Sequence, residues 1–137
     1  MAAVKGKERF YVDESATGLG KALAAARQDT IHVGHPLIPE CPFGIADPEW
    51  MAAVAARDLI VISRDRRIRS RPGEMEMLRE AGLRVFFIGG SRDQATWEWL
   101  QRVVRLWDRM EEVIDEAGPG PWCYMLHDRR ISPLVVR

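Results

Sequence analysis

Cysteine is scarce in this 137-residue chain: Cys41 and Cys123 stand far apart, with no CxxC spacing. A disulfide framework is therefore excluded, and two free thiols in a reducing compartment are expected in preference to a single bridge. Long apolar runs are missing too. None approaches the roughly 20 residues needed to cross a bilayer, and residues 1–7 lack the apolar stretch of a secretory signal. The expectation is a soluble cytoplasmic protein. Net charge is also absent, since 20 basic residues balance 20 acidic ones. Only local clustering can then point to an anionic partner. No internal repeat or low-complexity segment is present.

What remains is an ordinary globular composition, 47% apolar and 29% charged. The length suits one domain, which buries roughly two-thirds of its unfolded surface. Strand-like and helix-like segments alternate. Residues 1–8 form a polar lead-in, and Arg9–Val12 is a short β-type run. Leu19–Arg27 is alanine-rich with helical spacing. Thr30–Val33 is a second short strand. Pro36, Pro39, Pro42 and Gly44 make 34–46 a long loop of the kind that often borders a binding site. A helix from Asp47 to about Arg57 precedes the apolar strand Leu59–Ile62, whose pattern suits a strand covered on both faces. Pro72–Ala81 is a helix stopped by Gly82, and Arg84–Ile88 is a fourth strand. The longest helix is expected over Asp93–Ala117, with Trp97, Leu100, Val104, Trp107, Met110 and Ile114 tracing one face. Residues 118–137 form a tail with a hairpin of Trp122–Leu126 against Ser132–Val136. The alternation predicts an α/β domain over 9–117 built on a parallel sheet.

Three acids stand at three strand-to-helix junctions: Asp13, followed by Glu14, then Asp47, then Asp65. In an open parallel sheet the carboxyl ends of the strands converge on one crevice. Carboxylates gathered there raise one another's pKa, and a hard divalent cation such as Mg²⁺ or Mn²⁺ relieves the conflict through oxygen ligands. Each acid also has a structural explanation. Asp13 suits a turn or cap. Asp47 suits an N-cap, with Pro48 at N1 and Glu49 complementing the dipole. Asp65 suits a counter-ion within Arg64, Arg66, Arg67, Arg69 and Arg71. The competing reading of that basic turn is phosphate recognition, which guanidinium performs bidentately. Asp93 is a candidate fourth acid, but Ser91–Gln94 is also a capping box for the long helix. His32, His35 and His127 lack ligand spacing. Trp99 falls off the long helix's stripe, which suggests that this helix buries a second face, against a second copy of the chain.

The runs Phe10–Ser15, Ala46–Trp50 and Val61–Arg67 together resemble the PIN-like nuclease domains, in particular the VapC45-type toxin branch and the related Mut7-C and DUF5615 groups. Trp97–Leu100 and Gly118–Trp122 are similar to the VapC45-type branch as well. The resemblance implies a three-layer α/β/α fold with a central, mainly parallel sheet. It also implies Mg²⁺- or Mn²⁺-dependent endoribonuclease activity, with Asp13, Asp47 and Asp65 as the metal-holding acids and Glu14, Glu49 and Asp93 as further candidates. Arg64, Arg66, Arg67 and Arg69 would take RNA phosphates. It further implies the toxin role of a toxin–antitoxin pair, hence an antitoxin partner. Where relatives often carry a further Asp two positions past the third acid, this chain has Arg67. The alternative is therefore a catalytically silent PIN-like module that binds RNA or protein. A phospho-receiver domain would need a Lys near the end of its final strand, and Lys5, Lys7 and Lys21 are not placed there.

Overall fold

The computed structural model describes residues 7–65, 68, 70–90 and 95–134. A six-stranded sheet runs in the order β2-β1-β3-β4-β5-β6. The strands are β1 (Phe10–Val12), β2 (Thr30–His32), β3 (Ile60–Ser63), β4 (Arg84–Ile88), β5 (Trp122–Leu126) and β6 (Ile131–Leu134). The first five are mutually parallel, and β6 closes the edge antiparallel to β5. The helices are α1 (Thr17–Ala26), α2 (Asp47–Ala56), α3 (Pro72–Glu80) and α4 (Thr96–Ala117). The fold is the expected three-layer α/β/α arrangement.

Alternation along the strands divides the core in two. Tyr11, Ile31, Val61, Val85 and Cys123 face the layer that includes Trp50, Met51 and Val54 of α2. Phe10, Val12, Ile62, Phe86 and Trp122 face the layer of α1 and α4, with Leu19, Leu23, Val103 and Met110. Both sheet faces are covered, which is why β3 and β4 read as unbroken apolar runs. Gly20 marks a tight crossing, because a Cβ there would meet the His32 Cβ at 2.7 Å and the Val12 Cβ at 3.1 Å. The cysteines are both free and buried, and burial pushes the Cys123 thiol up to about 12.

Several details differ from the sequence reading. The long helix begins at Thr96 behind Ala95, which contributes no side-chain cap; the capping box expected at 91–94 lies outside the described residues. Its buried face is Trp99, Val103, Leu106, Met110 and Val113, while Trp97 and Val104 are 64% and 61% exposed. The stripe is therefore rotated, and Trp99 belongs to the core. Leu100, Trp107 and Ile114 pack at its margin. The rotation is decided by contact with α1 and the sheet, whereas a 3.6-residue period alone fits several neighbouring stripes. The expected hairpin forms and extends the sheet: β5 takes its register from β4. Among the described residues, no helix is long and apolar enough to cross a membrane.

Candidate metal centre

The chain leaves β1, visits β2 on one side, and returns to β3 on the other. That reversal is the switch point at which open α/β sheets hold their ligands, beyond the strands' carboxyl ends. Asp13 follows β1 there and Asp65 follows β3. The loop after β2 leads through Ile45 to Asp47 at the start of α2. A cavity of about 180 Å³ opens at this point, lined by Tyr11, Asp13, Glu14, Ser15, Ile45, Asp47, Trp50 and Asp65. The three aspartates named from sequence thus border one space.

Asp13 is the most enclosed of them, 4% exposed. Its Oδ1 accepts from the Ser15 backbone N–H at 3.1 Å, which caps the 3₁₀ turn Glu14–Ala16, and from the Ser15 hydroxyl. Its Oδ2 accepts from the Ser63 hydroxyl at 2.6 Å. Ser63 Oγ in turn accepts from the Asp65 N–H at 3.1 Å, and Ser15 Oγ accepts from the Arg64 N–H at 2.9 Å. The two serines therefore brace the turn after β1 to the turn after β3. Burial pushes the Asp13 carboxyl up to about 6; the bonds from Ser15 and Ser63 pull the other way, and the nearby Asp65 charge adds to the rise.

Asp47 departs from its expected role. The N-cap of α2 is Ala46, without a side-chain bond, and Asp47 is already helical. Its Oδ1 accepts instead from the Trp50 indole Nε1–H at 2.8 Å, and Trp50 stacks on Tyr11 with ring centroids 5.8 Å apart. A carboxylate one position inside a helix lies too far round to cap it, and this one turns to the cavity. Glu14 lines the cavity too, while one of its oxygens accepts from the Gly44 N–H and ties down the loop. Glu49 is exposed and away from the lining. The guanidinium of Arg64 lies over the Trp99 ring at 4.4 Å. Arg66, Arg67, Arg69 and Asp93 lie outside the described residues.

Sequence reasoning missed four side chains that touch or neighbour these acids. Ser15 and Ser63 hold Asp13, and Trp50 holds Asp47. The fourth is Glu74, in the first turn of α3, beside Asp47. Partial burial, then the facing Asp47 carboxylate, raise its pKa against the pull of Arg71. A polar residue closing an apolar strand, as Ser63 does, was the available signal; the other three become visible only in three dimensions.

A family model described as a PIN like domain matches residues 9–90. The chain belongs to the PIN-like domain family. The matched span contains β1 to β4 and every residue lining the cavity, and a PIN-like domain is a nuclease-type fold in general. No curated protein and no solved structure matches the chain.

By chemistry alone, the carboxylates that line the cavity are donors of the kind a hard divalent cation takes. The carboxylates are all oxygen ligands, and Asp13 is buried with its pKa raised, as a carboxylate deprived of a positive partner must be. Among the described residues, however, no group of three or more His, Cys, Asp or Glu side chains is gathered closely enough to hold a metal ion. Asp13 Oδ1 already accepts two hydrogen bonds, whereas Asp13 Oδ2 and Asp47 Oδ1 accept one each from Ser63 and Trp50 and keep a second lone pair.

Proposed function

We propose that this PIN-like domain is a metal-dependent endoribonuclease of the VapC45-type branch, acting as the toxin of a type II toxin–antitoxin pair. The observation that carries the reading is the meeting of Asp13, Asp47 and Asp65 around one cavity at the switch point. Asp13, Asp47 and Asp65 hold the cation, Mg²⁺ or Mn²⁺. When bound, such a cation supplies Lewis-acid polarisation of the scissile phosphate and the attacking water. Ser15 and Ser63 fix the Asp13 carboxylate, and the Trp50 indole fixes that of Asp47, so that the acids need little reorganisation. Arg64 and the neighbouring Arg66, Arg67 and Arg69 neutralise RNA phosphates, an attraction that weakens with salt. The cognate antitoxin and a second copy of the chain are the proposed protein partners. Exposed Trp97 and Val104 on α4 offer apolar surface to either.

The engagement of both Asp13 oxygens by serines favours a second reading, a silent PIN-like module that binds RNA or protein without cutting. Incubating mixed RNAs with the purified chain and Mn²⁺ separates the two. Cleavage that stops with a chelator and with Asp65→Asn is expected. Intact RNA under all conditions, with RNA binding retained, would favour the silent module.

A further inference from the structure

Four arginines meet away from the acidic cavity. Between α4 and the β5–β6 turn lies an open groove of about 570 Å³, lined by Arg105, Leu106, Arg109, Arg129, Arg130 and Ile131. None of these lining residues is acidic, and all of them follow residue 90, where the match to the PIN-like family model ends. The groove is thus a feature of this chain beyond the matched span. The acids beside it stand outside the lining and serve single arginines. Asp128 takes Arg105 at 2.7 Å through its carboxylate, and its carbonyl accepts from the same guanidinium. Glu112 and Glu116, on the same helix, take Arg109. Arg129 lies 3.8 Å from Asp128 with its side chain 79% exposed. Among the described residues Arg130 makes no ion pair.

Clasping α4 to the hairpin accounts for Arg105 but not for the other three. Exposed ion pairs contribute little to stability, and a guanidinium has more N–H donors than one carboxylate can take. Burial, then the charges of Arg130 and Arg102, hold the neighbouring His127 imidazole below its ordinary pKa. The position of the groove is the second observation. Because β5 runs parallel with β1, β3 and β4, the turn after it lies on the sheet edge that carries Asp13 and Asp65. Arg102 pins α4 to this edge, donating to the Gly89 and Leu126 carbonyls at 2.5 and 3.3 Å. The turn after β5 stands two strands from the turn after β3, a step of roughly 10 Å. Arg64 follows β3 and leans over Trp99 of α4, so positive charge continues from the cavity towards the groove.

We infer that the groove is a second RNA-backbone site, holding the strand whose scissile phosphate lies in the acidic cavity. The inference rests on the reading that the cavity acts on RNA. Guanidinium forks take phosphate oxygens bidentately, and Leu106 with Ile131 gives the floor an apolar surface for the sugars. By charge alone an acidic protein segment competes for the same place. The shared edge favours RNA, since one extended strand reaches both sites, whereas a separate protein ligand has no need of that alignment. Contacts to phosphate fix position without reading bases, so the groove adds affinity and not sequence preference.

Fluorescence anisotropy of single-stranded RNA with the full chain in chelator, over a salt series, tests the groove apart from cleavage. Arg129 and Arg130 are exposed in a turn, so Arg129→Ala combined with Arg130→Ala keeps the fold. That variant should bind roughly tenfold more weakly at low salt, with a logarithmic salt slope shallower by about 1.4. Arg27→Ala combined with Arg79→Ala removes the same charge near the opposite edge, ahead of β2 and β4, and should bind as wild type does. A groove variant that binds as wild type, or a control that loses as much, would overturn the inference alone. Poly-glutamate bound by wild type and not by the groove variant, with equal RNA affinity in both, would overturn it in favour of an acidic protein partner. RNA held through the groove but never cut with Mn²⁺ would overturn the nuclease reading and leave the inference standing. A wild type that binds no RNA would overturn both.

Discussion

Replacing Asp13 by Asn should stabilise the metal-free fold while disabling its site. Burial raises this carboxyl from its ordinary 3.8 to about 6. A carboxyl with a raised folded-state pKa contributes stability that is complete below its unfolded pKa and lost as pH climbs through the folded one. The interval from 3.8 to about 6, at about 1.36 kcal/mol for each pH unit, comes to about 3 kcal/mol. Wild type therefore carries that handicap above pH 6, and Asn, which does not titrate, avoids it. The bonds survive the exchange: the amide oxygen still accepts from Ser15, and the Ser63 hydroxyl can turn to accept from the amide nitrogen. Urea unfolding in chelator at pH 4, 6 and 8 reads the effect. The two proteins should nearly coincide at pH 4 and separate by up to about 3 kcal/mol at pH 8, a melting difference of roughly 10 °C. An offset independent of pH, or an Asn variant less stable at pH 8, would refute the reasoning. Saturating Mn²⁺ should narrow the gap, since only wild type gains from the ion.

Other substitutions probe other parts of the account. Trp50→Phe keeps an aromatic ring against Tyr11 but deletes the donor to Asp47; a loss of about 1 kcal/mol in stability and a roughly tenfold weaker Mn²⁺ affinity are expected by denaturation and calorimetry. Met110→Ala on the buried face of α4 should cost about 2–5 kcal/mol in urea unfolding, whereas Val104→Ala on its exposed face should stay within about 0.5 kcal/mol. Arg66→Ala combined with Arg67→Ala should flatten the salt dependence of single-stranded RNA binding by about 1.4 in logarithmic slope, measured by fluorescence anisotropy.

The fold was readable from sequence because its signals are local. Unbroken apolar runs marked β3 and β4, and alternation of strand and helix fixed the parallel sheet. Asp13, Asp47 and Asp65 were readable as one group because junction residues of a parallel sheet converge whatever their spacing. The phase of α4 was not readable: Trp97 and Val104 extend the same periodic stripe as Met110, and only packing on α1 and the sheet exposes them. Asp47 looked like a cap because Asp before Pro usually is one, yet Trp50 takes its oxygen. Ser15 and Ser63 act across 48 residues of chain, and Glu74 meets Asp47 only through the docking of α3 beside α2. Such pairings leave no trace in spacing.

Crystals grown with Mn²⁺ and measured at its absorption edge test the central claim most directly. An anomalous peak within the cavity, at coordination distance from Asp13, Asp47 and Asp65, is the predicted result. Crystals saturated with Mn²⁺ that show no peak among these carboxylates would contradict it.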